Sequence, residues 1–249
     1  MKYTVITGAS SGIGYESAIA FAKRGHNLVI VARRENELNK LRQQIIEIND
    51  KLSVLVKVVD LSNIDNVYKF YDSLKDIEID IFVNNAGFGD RALVGEADLN
   101  KINTMLSLNV TALTILSNLF IRDYKDKSST QLINVSSFVG YHILSSNAVY
   151  CATKFFVSSF TEILAQELRD NKNKCKAKVL APAVTETEFS QVAADVKEFS
   201  YKQNLSKYHT AKEMAEFLMQ LVDSDKVLGI VDINTYKFVL RDGQCPLAP

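Results

Sequence analysis

Tyr150 and Lys154, in the run Tyr150-Cys151-Ala152-Thr153-Lys154, stand four residues apart. On a helix that spacing puts a phenol and an ammonium on one face. A free phenol titrates near pH ~10 and is a poor base at neutrality. A neighbouring cation favours phenolate and brings proton exchange toward working pH. Spacing alone does not single out this pair, because Tyr71/Lys75 and Tyr208/Lys212 share it. Position does. The apolar run Gln131-Leu132-Ile133-Asn134-Val135 leads into Ser136-Ser137, which places two hydroxyls at the carboxyl end of a strand. Ser137 precedes Tyr150 by thirteen residues, short enough for one loop to bring both hydroxyls to a single carbonyl oxygen. Tyr71 and Tyr208 have no such companion and read as helix-surface residues. The competing reading of the serines is an ordinary turn or helix cap.

A second constellation suits phosphates. Thr7-Gly8-Ala9-Ser10-Ser11-Gly12-Ile13-Gly14 closes the first apolar run and opens a helix-like stretch. Glycines allow a tight turn and close backbone approach, and a helix N-terminus offers N–H donors and a positive dipole end. The spacing is Gly-x-x-x-Gly-x-Gly, not the commoner Gly-x-Gly-x-x-Gly, and its place between strand and helix gives it weight. The next strand ends at Val31-Ala32-Arg33-Arg34. An NAD site would put an acid there to hold the ribose 2′-hydroxyl. Arginines instead suit a 2′-phosphate, and cations at a helix start are otherwise disfavoured by the dipole. NADP(H) is the expected cofactor, with two arginines on a solvated helix start as the alternative. Asp60-Leu61, after the third strand, is a candidate adenine contact, and Asp60 could equally cap the following helix.

These residues need a frame. Candidate strands are 3–7, 27–32, 53–59, 79–83, 130–135, 176–180 and 227–233. Helix-like segments lie near 12–24, 35–49, 63–75, 98–124, 147–170 and 210–222. Strands such as Leu28-Val29-Ile30-Val31 are continuously apolar, as in a parallel sheet covered on both faces. The alternation predicts an α/β, doubly wound, mainly parallel seven-stranded sheet with helices on both faces, as one domain over residues 1–249. A ligand then belongs at the carboxyl ends of the strands, near the topological switch point.

Composition narrows the function classes. Lys plus Arg and Asp plus Glu number 29 each, so no basic surplus points to nucleic acid or an anionic membrane. Cys151, Cys175 and Cys245, like His26, His142 and His209, are scattered without metal-like spacing, so no metal site or disulfide framework is expected. No apolar run of membrane-spanning length is read, and the first residues enter a strand without a signal-peptide pattern. The expectation is a cytoplasmic protein.

In order along nearly the whole chain, the motifs resemble those of the short-chain dehydrogenase/reductase family. They are the Thr7–Gly14 loop, Asp60, Asn84-Asn85-Ala86-Gly87, Asn109, Ser136-Ser137, Tyr150 to Lys154, and Pro182 to Thr187. The resemblance implies a Rossmann-type fold and an NADP(H)-dependent oxidoreductase acting on a carbonyl or secondary alcohol. By the same resemblance Tyr150 is the acid/base, and Lys154 lowers its pKa and binds ribose. Ser137 holds the substrate oxygen and Asn109 helps a water-linked proton relay. Gly8, Ser10, Ser11, Gly12, Ile13 and Gly14 meet the pyrophosphate. Arg33 and Arg34, Asp60 and Leu61, and Asn85, Ala86 and Gly87 line the adenosine side. Pro182, the Thr185 backbone and the Thr187 hydroxyl meet the nicotinamide. Two departures stand out. The family's Pro-Gly reads Pro182-Ala183, and the chain lacks the usual Gly-rich ending, closing instead through Gly243-Gln244-Cys245-Pro246.

The stretch 189–209, with Phe189, Phe199, Tyr201 and Tyr208 among polar residues, reads as a substrate lid. Phe155, Phe156, Phe160 and Ile163, with Asn103, Met105, Leu106 and Leu113 on the preceding helix, point to a homodimer, a tetramer being possible. Cys151 reads as a small residue beneath the helix, and His142 as bordering substrate or solvent. A nucleotide-binding sensor without turnover, or an epimerase or dehydratase on the same frame, are the rival functions.

Overall fold

In the computed structural model, residues 1–246 are described, and the expected domain bounds of 1–249 extend beyond them. The first half alternates strictly: β1 (Lys2–Thr7), α1 (Gly12–Lys23), β2 (Asn27–Ala32), α2 (Glu35–Ile48), β3 (Val54–Val58), α3 (Ile64–Asp72) and β4 (Glu78–Asn84). One long helical stretch follows, α4 (Leu99–Leu106) and α5 (Leu113–Tyr124) joined by a π-helical turn at Ser107–Ala112. Then come β5 (Gln131–Val135), α6 (Ala148–Asp170), β6 (Lys176–Ala181), the two-residue β7 (Thr185–Glu186), α7 (Phe189–Ala194), α8 (Tyr201–Asn204), β8 (His209–Thr210), α9 (Ala211–Asp223), β9 (Leu228–Val231) and β10 (Phe238–Arg241).

The main sheet runs β10-β9-β6-β5-β4-β1-β2-β3, and every pair is parallel except β10 on β9. The seven expected parallel strands are present, and the count is corrected to eight by the antiparallel edge strand β10. Its Phe238-Val239-Leu240 is short and half-buried, and Asp232 makes the turn before it by accepting from the Asn234 and Thr235 N–H groups. A short edge strand carries too little periodicity to be read in advance.

Continuous apolarity has a direct cause. Leu28 and Ile30 enter one core with Ile6, Phe21, Leu38, Leu41 and Leu218, whereas Val29 and Val31 enter the opposite core with Val5, Phe82, Leu116 and Phe120. Alternate side chains point to opposite faces, so a strand covered on both sides must be apolar at every position. The order reverses between β4 and β1, and that switch point opens the crevice expected for a ligand.

The helical stretch Leu99–Tyr124 corrects one reading. By length and composition it is apolar enough to cross a bilayer, with mean hydropathy 1.6 over its best window. Its Met105, Ala112, Leu116 and Phe120 are buried against the sheet, and Asn109, Ser117 and the β-strand residues Asn84 and Asn134 are buried beside them. Asn84 donates to Asn134 and Ser117, and Asn134 donates to Thr161 of α6, a buried hydrogen-bonded polar layer. Met105 and Leu113, expected at a subunit contact, belong to the protein's own core.

Candidate active site

The loop after β1 is built by close approach. Gly8 and Gly12 have φ of +68° and +57°, in the left-handed region. A Cβ at Gly8 would lie 2.8 Å from the Asn85 amide nitrogen, and one at Gly14 would lie 2.5 Å from the Gly8 carbonyl oxygen. Gly14 therefore faces the strand and lets α1 pack on it, whereas Gly8, Ser10, Ser11, Gly12 and Ile13 line the crevice. Thr7 stitches this loop to the next: its hydroxyl accepts from the Asn85 and Ala86 N–H groups, both at 3.0 Å. The Asn85 amide returns a bond to the Thr7 carbonyl at 2.9 Å. The Ser11 side chain does not cap α1, and no acid occupies the first turn. Uncapped N–H groups beside a glycine-walled approach fit a pyrophosphate.

Arg33, Arg34, Asp60, Leu61, Asn85, Ala86 and Gly87 line the same cavity of about 460 Å³. Arg33 is exposed and has no ion pair among the described residues. Arg34 is engaged. It donates to the Ser10 hydroxyl at 3.2 Å and pairs with Glu188 at 2.8 Å, and this pairing, first among its causes, holds the Glu188 carboxyl below its usual range. Asp60 accepts from the Ser62 N–H and hydroxyl, while Asn63 caps α3. Asp60 thus closes its own turn, and Leu61 is buried in the core. A cofactor with an anionic diphosphate and a 2′-phosphate fits these residues.

At the other end stand Ser137, Tyr150 and Lys154. Of the three Tyr/Lys pairs, only Tyr150 and Lys154 share a helix, because α3 ends before Lys75 and α9 begins after Tyr208. Tyr71 is buried and donates to Asp123, which corrects its reading as a surface residue. Lys154 is buried and donates to the Val135 carbonyl at 2.9 Å, with its nitrogen 5.8 Å from the Tyr150 ring centre. Burial lowers the Lys154 ammonium to about 8. Burial also pushes the Tyr150 phenol up, a rise that the Ser137 hydroxyl partly offsets. Desolvation acts on both groups, disfavouring phenolate and ammonium alike. Ser136 is structural: its hydroxyl donates to the Lys154 carbonyl and bonds Ser158.

Asn109 does not line the cavity. It sits in the π-helical turn, where its amide donates to the Phe88 carbonyl at 2.8 Å and to Thr153 at 3.3 Å, and accepts from the Phe88 N–H. The Asn109 side chain is thereby committed to holding the loop at Phe88 against α6. Such turns concentrate at functional sites. Pro182, Thr185 and Thr187 line the cavity. The Thr187 methyl would lie 2.9 Å from a Cβ at Gly12, so the loops after β1 and β6 touch. Ala183 buries its methyl with Met214 and Val231, which accounts for the missing glycine.

Sequence reasoning missed Phe88, Arg91, Leu144, Asn147, Glu188 and Val192, which line the cavity. Phe189 was foreseen only in the lid, yet its ring centre lies 5.3 Å from that of Tyr150. Glu188 meets Arg34 across 154 residues, and no local pattern announces such a pair. His142 is exposed, with Nδ1 3.0 Å from the Phe138 carbonyl, and Cys151 is buried as a small residue.

A doubly wound sheet with a glycine loop at its switch point and a Ser–Tyr–Lys set across the crevice defines a nucleotide-binding oxidoreductase. The short chain dehydrogenase family profile matches residues 2–198, and the chain belongs to that family. It is 30% identical over 196 residues to an uncharacterized oxidoreductase of Staphylococcus saprophyticus, covering 78% of each chain. It is 29% identical over 197 residues to an NADP-dependent 3-hydroxy acid dehydrogenase of Schizosaccharomyces pombe, covering 77% of this chain and 74% of that one. Among solved structures, a short-chain dehydrogenase from Sphingobium yanoikuyae in complex with NADPH superposes with a TM-score of 0.82 at 28% identity, over 94% of this chain and 89% of that one.

Proposed function

We propose that the protein is an NADP(H)-dependent oxidoreductase interconverting a carbonyl and a secondary alcohol, with Tyr150 as the acid/base. The observation that carries this reading is one cavity with Ser137, Tyr150 and Lys154 at one end and the glycine loop with Arg33 at the other. The NADPH-bound neighbour and the NADP-dependent relative support the cofactor. When bound, the nicotinamide supplies or accepts the hydride.

The chain's own groups handle the oxygen and its proton. Ser137 and Tyr150 donate to the carbonyl oxygen, where charge develops during reduction. Tyr150 then gives up its proton, and its raised pKa keeps the phenol protonated for that step. Lys154, charged below about pH 8, favours the phenolate left behind. Arg33, exposed and without an ion pair among the described residues, is placed to take a 2′-phosphate. Phe189 and the segment to residue 209 cover the substrate end as a lid, excluding water. The three free cysteines agree with a reducing, cytoplasmic setting.

The test is a panel of ketones and aldehydes assayed with NADPH and NADH by loss of reduced-cofactor absorbance. NADPH consumption with alcohol formed supports the reading. Binding without turnover would mean a sensor, and product without net cofactor change an epimerase or dehydratase.

A further inference from the structure

The substrate end of the cleft has a charge without a counter-charge. Asp60 and Glu188 are its acidic lining residues, and both lie toward the adenosine side, with Asp60 hydrogen-bonded to Ser62 and Glu188 paired with Arg34. Beyond Lys154, which is committed to the Val135 carbonyl beside Tyr150, the cavity is also lined by the non-ionisable Phe88, Leu144, Asn147, Phe189 and Val192 and by Arg91. Arg91 follows Asp90, but that acid turns inward to Lys101 at 2.7 Å and is buried. Among the described residues Arg91 has no acidic partner.

Arg91 is nonetheless held in place. Its N–H donates to the Ala193 carbonyl at 3.0 Å, which fixes its backbone to α7. Its guanidinium lies 5.6 Å from the centre of the Phe199 ring, so one face of the fork is shielded by an aromatic surface. Ala193 is one helical turn along α7 from Phe189, whose ring leans on Tyr150. A helical turn rises ~5.4 Å, so the Arg91 backbone is anchored one turn of α7 from the residue that packs on Tyr150, and both Arg91 and Tyr150 line the same cavity.

We propose that the substrate is a carbonyl compound with a carboxylate at its far end, an oxo acid or the matching hydroxy acid, and that Arg91 receives that carboxylate. A single planar cation matches one monoanion in a two-bonded fork. A phosphate would ask for more donors than this wall supplies. The apolar side chains that line the same cavity, Phe88 and Phe189 among them, then cover the carbon chain linking the two ends. This inference rests on the oxidoreductase reading of the cleft.

The experiment uses the protein with NADPH and matched pairs, each an oxo acid and its methyl ester, over a range of chain lengths. The expected result is a kcat/KM for the acid about ten- to a hundred-fold above its ester at the best length, as one charge-assisted contact provides. Arg91→Met should collapse that ratio toward one, and Arg91→Lys should keep part of it. Acids no better than esters in the wild type, or a ratio that survives Arg91→Met, overturns the assignment. Should no carbonyl be reduced, the oxidoreductase reading fails instead. Calorimetry of matched carboxylates and amides then judges Arg91 alone, and equal binding of the two overturns its role.

Discussion

Tyr150→Phe removes a hydroxyl and leaves the ring that packs against Phe189. Turnover should fall by at least ~10²-fold while NADPH affinity is kept, since only the positioned proton is lost. Steady-state rates together with a cofactor titration separate the two effects, and a variant with near wild-type kcat would remove Tyr150 from its role. The pH profile carries a second expectation. Burial lowers Lys154 to about 8, so its charge fades as pH rises through that value, whereas the raised phenol stays protonated. Carbonyl reduction should therefore decline on the alkaline side with an apparent pKa near 8. Lys154→Arg, which keeps its charge, should flatten that limb in whatever activity it retains.

Arg33 and Arg34 divide unequally. Arg33→Ala should weaken NADPH by about ten- to a hundred-fold and leave NADH little changed, since it removes a charge-assisted contact to the 2′-phosphate. Ala32→Asp should do more, repelling the phosphate while offering the NAD ribose hydroxyl a partner. Arg34 already serves Glu188 across an exposed pair, which contributes at most ~1 kcal/mol. Glu188→Gln should therefore tighten NADPH by only about two- to fivefold. Dissociation constants for both cofactors check all three variants, and equal wild-type affinities would return the arginines to a solvated helix start. At this scale the sequence was legible wherever chemistry needs adjacent residues, as in Ser136-Ser137, Tyr150 to Lys154 and Arg33-Arg34. It was silent on Glu188 and Arg91, whose roles depend on a partner engaged or absent far along the chain.

At the scale of elements, apolar runs and the loop glycines gave boundaries within a few residues for the seven parallel strands. β10 escaped because an edge strand buries only part of its surface, and the π-helical turn escaped because helical periodicity hides one inserted residue. The end of α9 has a similar concealed determinant. Lys178, buried on β6, donates to the carbonyls of Leu221, Val222 and Ser224 at 2.7, 3.0 and 2.6 Å. Reading the strand gave no reason to expect an ammonium there; the carbonyls left over at a helix end supply it. Lys178→Met keeps the stem but strands those acceptors, and should lower the unfolding free energy by about 2–3 kcal/mol. Urea denaturation with an unchanged m-value would register the loss, and a midpoint equal to wild type would contradict it.

For the whole molecule, the outward faces of α4 and α6 carry Leu99, Leu106, Phe155, Phe156 and Ile163, each more than a third exposed. An apolar surface of this kind on two adjacent helices is suited to a second copy, related by a twofold axis. We expect a homodimer by light scattering at micromolar concentration, and a monomer after Phe155→Glu combined with Ile163→Glu. A wild-type monomer would refute the assignment. Glu162 of α6 accepts from the Gln244 and Cys245 N–H groups and from the Tyr141 hydroxyl. Gln244 and Cys245 are thus tied back onto α6 of the same chain, a contact that no local pattern in the sequence announces.

The small ladder of β7 and β8 has a wider consequence. Thr185 pairs with His209 and Glu186 with Thr210, and Thr210 then opens α9 through a reciprocal cap with Glu213. Everything from Thr187 to Tyr208 is thereby an excursion whose two feet stand side by side on the scaffold. Closing a longer excursion between fixed feet costs only about 0.6 kcal/mol per doubling of its length. Inherited change can therefore lengthen, shorten or rewrite this segment with little effect on the sheet beneath. The ladder works as a socket, and relatives with the same chemistry can diverge in what they accept by exchanging what is plugged into it.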